Sequence, residues 1–516
     1  MYLPFCLLRM DVSHRGSMFY WYFPAINPKV KDPPLLIWLQ GGPGSSSMIG
    51  LFFENGPIRL NANMKLERRE FHWAEEYSVL FIDQPVGTGY SYVTRLQDDS
   101  NLEVTDPDAI REILARLEAE LQKDQQQEQE LFASLADKKL AFKFEASRQQ
   151  KISTQKSIYL NGYVKDERGV AADLLVFLDQ FYERYPELQH VDLYLSGESY
   201  AGKYVPALAY GIMESNKGRR YLHEDDYETA VTVHTDKQII FPLKGIALGN
   251  SLTDPVSQVQ IHADHAYYMG LVTSAQADQM RVMQDRSVQE AEKGRFLESN
   301  RRRLDIFEVF KNATGGLNWY DIRKGDIAND WSRMEEFMNL AHIKDALNVF
   351  GPRTAFLEER KVAQSEIHRI QEGRAQTLYN KDPLVIQMMA ADIMKSSAWM
   401  VSNLLQQGIR VLAYQGIFDF RDAVAGSNAW IDKLEWEGQD KFLKAEREIW
   451  VNNGRLAGYV TQVSGLTRVT LLGAGHLVPM DQESNSLAMM TSFVQGTRME
   501  VATPEESQRR AAAHVI

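Results

Sequence analysis

Ser199 has the neighbours that a nucleophilic serine needs. An apolar run, Leu193 to Leu195, leads into the pattern Gly-x-Ser-x-Ala-Gly, and a helix-compatible run follows. In this strand–turn–helix setting a tight turn raises the serine hydroxyl above the edge of a sheet. Small residues must flank such a serine two positions away on each side, and Gly197 and Ala201 meet that demand. The pentapeptide also occurs in ordinary turns, so it indicates a nucleophile only if partner residues exist.

A serine hydroxyl is a weak nucleophile, so it requires a histidine as base and a carboxylate that orients the histidine. On sheets with this type of turn the chain order is serine, acid, histidine. His476 fits as the base because it lies in a glycine-rich segment directly after a predicted strand. The acid should follow the preceding strand, which ends near Gly416, and there both Asp419 and Asp422 are available. Position alone leaves the choice between the two aspartates open.

A glycine pair after an early strand predicts the site for the developing negative charge. Gly41 and Gly42 follow the apolar run Leu35 to Leu39. In α/β-hydrolases one oxyanion donor comes from this position, and the other is the N–H of the residue after the nucleophile. We therefore expect the oxyanion hole to consist of the backbone N–H groups of Gly42 and Tyr200.

Short apolar runs separated by helix-length segments must position these residues. Such runs favour strands of a mostly parallel sheet that is covered by helices on both faces. The sequence thus predicts an α/β-hydrolase fold with an inserted helical cap. The predicted strands are Met18 to Phe23, Leu35 to Leu39, Ser78 to Ile82, Val191 to Leu195, Leu243 to Leu248, Arg410 to Tyr414 and Val469 to Leu472.

Two segments interrupt the alternation of strands and helices. The stretch 94–157 is rich in Gln and charge, with apolar residues at helical spacing only in its first part, which predicts a surface helical insertion. The stretch 261–383 is polar and helix-like and predicts the cap. The expected organisation is a sheet core in two parts, 1–260 and 384–516, with the cap between them.

Composition excludes several classes of function. The 516 residues carry a net charge of −12, which disfavours nucleic acid and anionic membranes as partners. No run is long and apolar enough to span a bilayer. Cys6 is the single cysteine, so neither an intrachain disulfide nor a Cys-rich metal site can form. His262 and His265 form an H-x-x-H pair without a supporting carboxylate cluster; we expect solvated helix residues there, no metal site, and no cofactor.

Six blocks in their order along the chain resemble the serine carboxypeptidase family. Its members have similar sequences around the early glycines, the serine and the histidine, and the segment from Tyr414 to Asp422 looks most like the plant and vitellogenic-like branch. The blocks are WLQGGPGSSS from Trp38, FFENGP from Phe52, VLFIDQPVGTGYS from Val79, GESYAGKYVP from Gly197, GNSLTDP from Gly249 and GAGHLVP from Gly473. The resemblance covers nearly the whole chain outside the Gln-rich insertion.

The resemblance implies roles that spacing alone does not give. It selects Asp419 as the acid, and it implies a clamp for the terminal carboxylate of a peptide, formed by Trp38, Gln40, Gly41, Glu54 and Glu198. Two carboxyl groups can hold a third if they share a proton, so peptidase activity favoured at acidic pH is expected. Gln40 stands where the family usually has Asn, and Ser45 where it has a disulfide cysteine.

The expected activity is therefore removal of the C-terminal residue from peptides and proteins through an acyl-enzyme on Ser199. Acyl transfer to another acceptor, or peptide binding without catalysis, are the alternatives. Relatives are exported or vacuolar, which would place this chain in the secretory pathway, a vacuole or lysosome, or outside the cell. The first residues lack the apolar run of a signal peptide. Asn312, in Asn-Ala-Thr, is a glycosylation acceptor if the chain is exported.

Overall fold

The computed structural model describes residues 5–9, 16–93, 162–218, 239–325, 331–347, 349, 379–381, 383–503 and 505–506. The predicted insertion 94–157 lies outside the described residues. The strands are β1 (Phe5–Arg9), β2 (Gly16–Phe23), β3 (Leu35–Leu39), β4 (Ile58–Leu60), β5 (Leu66–Arg68), β6 (Ser78–Ile82), β7 (Thr88–Gly89), β8 (Tyr92–Val93), β9 (Leu193–Glu198), β10 (Leu243–Gly249), β11 (Asn380–Lys381), β12 (Arg410–Gly416), β13 (Glu448–Asn452), β14 (Arg455–Val463) and β15 (Leu466–Leu471).

The helices of the described residues alternate with these strands. A π-helical turn covers Gly50–Glu54, and 3₁₀ turns cover Trp73–Glu75 and Pro186–Leu188. The α-helices are α1 (Glu167–Arg184), α2 (Ala201–Asn216), α3 (Pro255–Val259), α4 (His262–Tyr268), α5 (Ser274–Glu292), α6 (Phe296–Thr314), α7 (Ser332–Asn339), α8 (Ala341–Ala346), α9 (Pro383–Met389), α10 (Ala398–Gln406), α11 (Val424–Ile431), α12 (Gln439–Lys444), α13 (Val478–Asp481) and α14 (Glu483–Gln495).

One large sheet organises the molecule. Its order is β1-β2-β6-β3-β9-β10-β12-β15-β14-β13, with β8 paired to β2. The neighbours from β6 through β15 are parallel, whereas both outer ends of the sheet are antiparallel. The carboxyl ends of the parallel strands therefore meet along one edge, where ligand sites of such sheets lie.

Burial on both faces explains why the central strands are continuous apolar runs. Every residue of Leu35–Leu39 is buried. On one side, which we call the α1 face, Ile37 and Leu195 pack with residues of α1, α2 and α10. On the other, the α14 face, Trp38 and Tyr414 belong to a cluster that includes residues of α14.

The structure confirms the predicted fold class, a mostly parallel sheet with helices on both faces. All seven predicted strands are present, but β9 continues to Glu198 and therefore includes Gly197. The antiparallel hairpin of β13 and β14 was not predicted, because its polar residues at the sheet edge leave no clear apolar run. The predicted segment 261–383 contains α4 to α8, while its division from the core stays a prediction. No helix in the described ranges is long and apolar enough to cross a membrane.

Candidate active site

The turn around Ser199 joins β9 to α2 in the strand–turn–helix arrangement that the sequence predicts. Ser199 has φ +64°, a left-handed conformation that non-glycine residues seldom adopt. Its N–H donates to Gly249 O at 3.0 Å, and its carbonyl accepts from the N–H of Leu252 at 2.9 Å. A Cβ on Gly197 would lie 2.5 Å from Leu39 O and 2.6 Å from Ala201 Cβ, so the turn leaves no room for a side chain.

The predicted base and acid are in direct contact. His476 Nδ1 lies 2.8 Å from Asp419 Oδ2 and 4.0 Å from Asp422 Oδ2, so Asp419 is the aspartate that accepts its hydrogen bond. Burial alone would lower the pKa of His476, but the charge and hydrogen bond of Asp419 outweigh burial and raise it. His476 Nε2 is buried and has no hydrogen-bond partner among the described residues. With Nδ1 as the donor, Nε2 is the ring nitrogen that can accept a proton.

Two amides that sequence analysis did not single out hold the acid in place. Asn250 Nδ2 donates to Asp419 Oδ2 at 2.7 Å, and Gln415 Nε2 donates to the same oxygen at 3.1 Å. The N–H of Asp422 donates to Asp419 Oδ1 at 3.2 Å. These donors fix the orientation of the fully buried Asp419 side chain. Asn250 follows β10 directly, and its place at the carboxyl edge was the signal available in the sequence.

A segment between α6 and α7 forms backbone hydrogen bonds with the two loops that carry the base and the acid. Tyr320 O accepts from the N–H of His476 at 2.7 Å, and the two rings lie 4.9 Å apart. Trp319 O accepts from the N–H of Phe420, the residue after the acid, at 3.0 Å. Phe420 in turn stacks on Phe310 of α6 with ring centroids 3.8 Å apart. The segment between the two helices is thus bonded to both loops.

The predicted oxyanion donors lie beside the serine turn. An ideal Cβ on Gly41 would be 2.5 Å from Tyr200 N and 2.8 Å from Ser199 Cβ, so the glycine backbone touches the turn. Gly42, the next residue, has φ +119°, which favours glycine. Neither Gly42 nor Tyr200 donates its N–H to a backbone carbonyl in the described part of the chain. Both N–H groups therefore remain available to a ligand.

In the predicted carboxylate clamp a chain of hydrogen bonds joins Trp38, Gln40 and Glu198, whereas both carboxyl oxygens of Glu54 are buried without a hydrogen-bond partner among the described residues. Trp38 Nε1 donates to Gln40 Oε1 at 2.9 Å, and Gln40 Nε2 donates to Glu198 Oε1 at 3.2 Å. Gly50 lies against the indole of Trp38, since a Cβ there would be 2.2 Å from Nε1. Glu54, at the end of the same π-helical turn, is fully buried.

Glu54 and Glu198 perturb each other in this buried site. Burial raises the pKa of Glu54 to about 7, although Glu198, His476 and Gln40 each lower it. Burial raises the pKa of Glu198 well above its usual range, and the charge of Glu54 raises it further. Gln40 influences Glu54, but its hydrogen bond in this structure is made to Glu198. Near neutral pH the pair therefore retains a proton.

Three other predictions concern residues outside this group. The expectation that His262 is solvated was wrong: it is buried, with Nδ1 3.1 Å from Val259 O and Nε2 2.8 Å from Arg421 O. His265 is partly buried and stacks on Phe420. Asn312 is exposed on α6.

One set of three metal-ligand side chains exists among the described residues, and it belongs to the same site. The ligand atoms of Asp419, Asp422 and His476 lie within 4.8 Å of one another. His476 Nδ1 points its hydrogen at Asp419, so in this tautomer that nitrogen has no lone pair for a metal.

Comparison with known proteins places the chain among peptidases of one family. The family model described as serine carboxypeptidase matches residues 6–134 and 152–496. A venom serine carboxypeptidase of Apis mellifera is 30% identical over 499 residues, which are 94% of this chain and 83% of that protein. Serine carboxypeptidase-like 49 of Arabidopsis thaliana is 29% identical over 96% of this chain and 77% of its own length.

A solved structure shares the fold. The prohormone-processing carboxypeptidase Kex1 of Saccharomyces cerevisiae aligns with a TM-score of 0.67 at 21% identity. The alignment covers 96% of this chain and 91% of the yeast chain. At this level of identity the likeness shows the α/β-hydrolase fold.

Proposed function

The chain belongs to the serine carboxypeptidase family, and we propose that it removes C-terminal residues from peptides through an acyl-enzyme on Ser199. The observation that carries the proposal is the meeting of three features at one sheet edge. These are the left-handed serine turn, a histidine whose Nδ1 is paired with Asp419 at 2.8 Å, and a buried pair of glutamates.

Proton transfer through His476 drives both halves of the reaction. His476 Nε2 takes the hydroxyl proton as Ser199 Oγ attacks the last peptide carbonyl. The tetrahedral intermediate collapses, the C–N bond breaks, and the amine of the terminal residue leaves with that proton. Water then attacks the ester with His476 again as base, which restores the serine. Asp419 fixes the tautomer and stabilises the imidazolium.

The oxyanion of each tetrahedral intermediate accepts hydrogen bonds from Gly42 N–H and Tyr200 N–H. Each preorganised donor of this kind contributes about 3 kcal/mol to transition-state stabilisation. Tyr200 also stands at the N-terminal cap of α2, where the helix dipole favours negative charge. Position 41 must be a glycine for these donors to lie beside the serine turn, because any side chain there would collide with the turn.

The clamp explains why cleavage would be restricted to the C-terminus. A substrate carboxylate between Glu54 and Glu198 is held if the pair carries one proton, which then serves as a hydrogen-bond donor. Trp38, Gln40 and Gly41 complete the clamp. Loss of the pair's last proton puts three negative charges together, so peptide affinity falls as the pH rises past the raised pKa of Glu198.

The general base, His476, sets the acidic limb of the pH profile. His476 must be neutral to accept a proton, and its raised pKa means that kcat falls on acidification from a higher pH than for an isolated histidine. The expected kcat/KM profile is a bell, with its acidic limb set by His476 and its alkaline limb set by loss of the glutamates' shared proton. The family resemblance suggests a secretory, vacuolar or lysosomal location, and the exposed Asn312 would be open to glycosylation there.

A fluorophosphonate probe and a peptide ladder test the proposal together. The probe should label the protein, and Ser199→Ala should abolish labelling. Ser196→Ala is the matched control, because Ser196 lies in the same strand with its hydroxyl buried against Ile37 O at 2.7 Å. Mass spectrometry should show shortening of free-acid peptides from the C-terminus and no shortening of the C-terminal amides. Unlabelled protein would contradict the nucleophile, and transfer of the acyl group to an added acceptor with no free acid formed would indicate an acyltransferase.

A further inference from the structure

Arg69 is a buried arginine that packs against the π-helical turn of the clamp. It follows β5 directly, and its side chain is 3% exposed. Nε donates to Gly56 O at 3.0 Å, Nη2 donates to Phe52 O at 2.8 Å, and Nη1 forms an ion pair with Glu483 at the start of α14. The planar guanidinium is suited to several partners in fixed directions, so this residue joins the turn rigidly to a helix.

The two carbonyls that the Arg69 side chain binds lie on either side of Glu54. Phe52 belongs to the π-helical turn that Glu54 ends, and Gly56 comes directly after that turn and its cap. The last carbonyls of a helical turn have no partner within the turn, so they require donors from elsewhere. The backbone N–H of Arg69 adds a third bond, to Pro57 O at 3.0 Å. The chain is therefore held on both sides of the glutamate by one arginine.

The carboxyl group of Glu54 depends on this backbone for its position. Both of its oxygens are buried without a hydrogen-bond partner in the part of the chain that the structure describes. The backbone of the turn therefore determines where the carboxyl group lies. Burial raises the pKa of Glu54 to about 7, and the positive charge of Arg69 is among the influences that lower it. Arg69 thus favours Glu54 as the ionised member of the pair, while Glu198 retains the proton.

The helix that anchors Arg69 also contacts a second clamp residue through a neighbouring tryptophan. Trp73 Nε1 donates to Ser486 Oγ at 3.1 Å, in the same first turn of α14 as Glu483. The Trp73 ring lies edge-on to Trp38, with ring centroids 5.3 Å apart. The start of α14 is thus connected to the turn of Glu54 through Arg69 and to Trp38 through Trp73, so it is a fixed reference for both.

We propose that Arg69 is a positioning residue that holds Glu54 in the carboxylate clamp and thereby sets the preference for a free C-terminus. The inference rests on the proposed function, since it identifies a residue that acts on the clamp without touching the substrate. The side-chain bonds of Arg69 described above are made to Phe52, Gly56 and Glu483, and none of these three belongs to the catalytic group. Loss of Arg69 should therefore impair recognition of the carboxylate and leave the nucleophile intact.

The test compares the binding of a free carboxylate with that of an amide. In a Ser199→Ala background at pH 5.5, where the glutamate pair holds its proton, Kd is measured for a fluorescent tripeptide acid and for its C-terminal amide. Arg69→Met should raise the Kd of the acid by at least about tenfold and leave that of the amide nearly unchanged, because a displacement of about 1 Å can cost about 100-fold. Arg59→Met is the matched control, since Arg59 on β4 is half-exposed and paired with Glu67 at 3.2 Å.

Two further measurements separate positioning from general damage and from charge alone. Fluorophosphonate labelling requires no carboxylate clamp, so a chain with Ser199 intact and Arg69→Met should be labelled at the wild-type rate. Arg69→Lys keeps the positive charge, but an ammonium group lacks the planar fork that bridges two carbonyls and a carboxylate. It should therefore also lose the preference for the acid. A wild-type preference in Arg69→Lys would show that the charge suffices and would overturn the positioning role.

Glu483→Gln is a milder variant that weakens the anchor of Arg69. The Glu483 side chain is 26% exposed, so the amide stays in contact with water and leaves no charge stranded. The bonds of Arg69 to the two carbonyls remain, and the preference for the acid should fall in the same direction but by less. Thermal unfolding confirms that each variant is folded, and if Arg69→Met is not, Glu483→Gln decides.

The outcomes distinguish this inference from the proposed function. An unchanged ratio of the two Kd values in the folded variants would overturn the inference, and so would a loss of labelling in parallel with a loss of binding. A wild-type chain that binds acid and amide equally would also overturn it, because there would be no clamp to position. Failure of the wild-type chain to react with the fluorophosphonate would instead contradict the nucleophile, while the binding measurement still judges Arg69.

Discussion

Replacement of both clamp carboxyls by amides should make peptide affinity independent of pH. In the wild-type chain burial raises the pKa of Glu54 to about 7 and that of Glu198 well above its usual range, so the pair still holds a proton near neutral pH and loses it as the pH rises further. KM for a free-acid peptide should therefore be higher at pH 8.5 than at pH 5.5, with a slope that approaches about tenfold per pH unit once the last proton leaves. The Glu54→Gln, Glu198→Gln double variant keeps permanent amide donors, and its KM should stay level over this range.

Steady-state kinetics with paired substrates would measure this effect. A free-acid peptide and the matching C-terminal amide, or an ester of the same acyl group, are compared at each pH. The raised pKa of His476 affects kcat for all of these substrates, so it cancels in the comparison. A wild-type KM that is level or falls from pH 5.5 to 8.5 would refute the shared proton. So would a rise in KM that survives in the double variant.

Three substitutions, two of them with a matched control, test other parts of the structure. Asp419→Asn should lower kcat by about 10⁴-fold, because the histidine loses its tautomer control, whereas Asp422→Asn, 4.0 Å from the ring, should have a much smaller effect in the same assay. Lys203 Nζ lies 3.1 Å from Asp392 Oδ2, and both side chains are fully buried, so Lys203→Met should reduce the free energy of unfolding in urea by about 3–5 kcal/mol because it leaves this carboxylate without its cation. Lys244→Met, at a half-exposed lysine, is the control and should change the free energy of unfolding little. Gly197→Ala should abolish fluorophosphonate labelling or unfold the turn, because its methyl group would overlap Leu39 O, and unaltered labelling would contradict the geometry.

The sheet was predictable because its central strands are buried on both faces. Strands β3 and β6 begin and end where the apolar runs do. The extension of β9 through Gly197 and Glu198 was missed, since a glycine and a charged residue do not look like a strand interior. That extension matters, because it places Glu198 in register with its neighbours.

The catalytic group was predictable in part. Residue types and chain order lead to Ser199 and His476, but they leave two aspartates open, and only the resemblance favoured Asp419. The structure distinguishes the two by distance. The place of Asn250 directly after a strand indicated a site residue, but its bond to Asp419 could not be predicted, because it depends on the pairing of β10 with β12, which are far apart in the sequence.

Backbone hydrogen bonds join Trp319 and Tyr320 to the loops of the acid and the base. These bonds matter for any redesign of the peptide preference. Grafting a relative's helices between β10 and β12 is an obvious way to exchange the walls around a substrate. The two carbonyls that hold Phe420 and His476 belong to that same stretch of chain. A graft that discards them would loosen the proton relay along with the walls, so a useful chimaera should retain residues 319–322 and change the helices on either side.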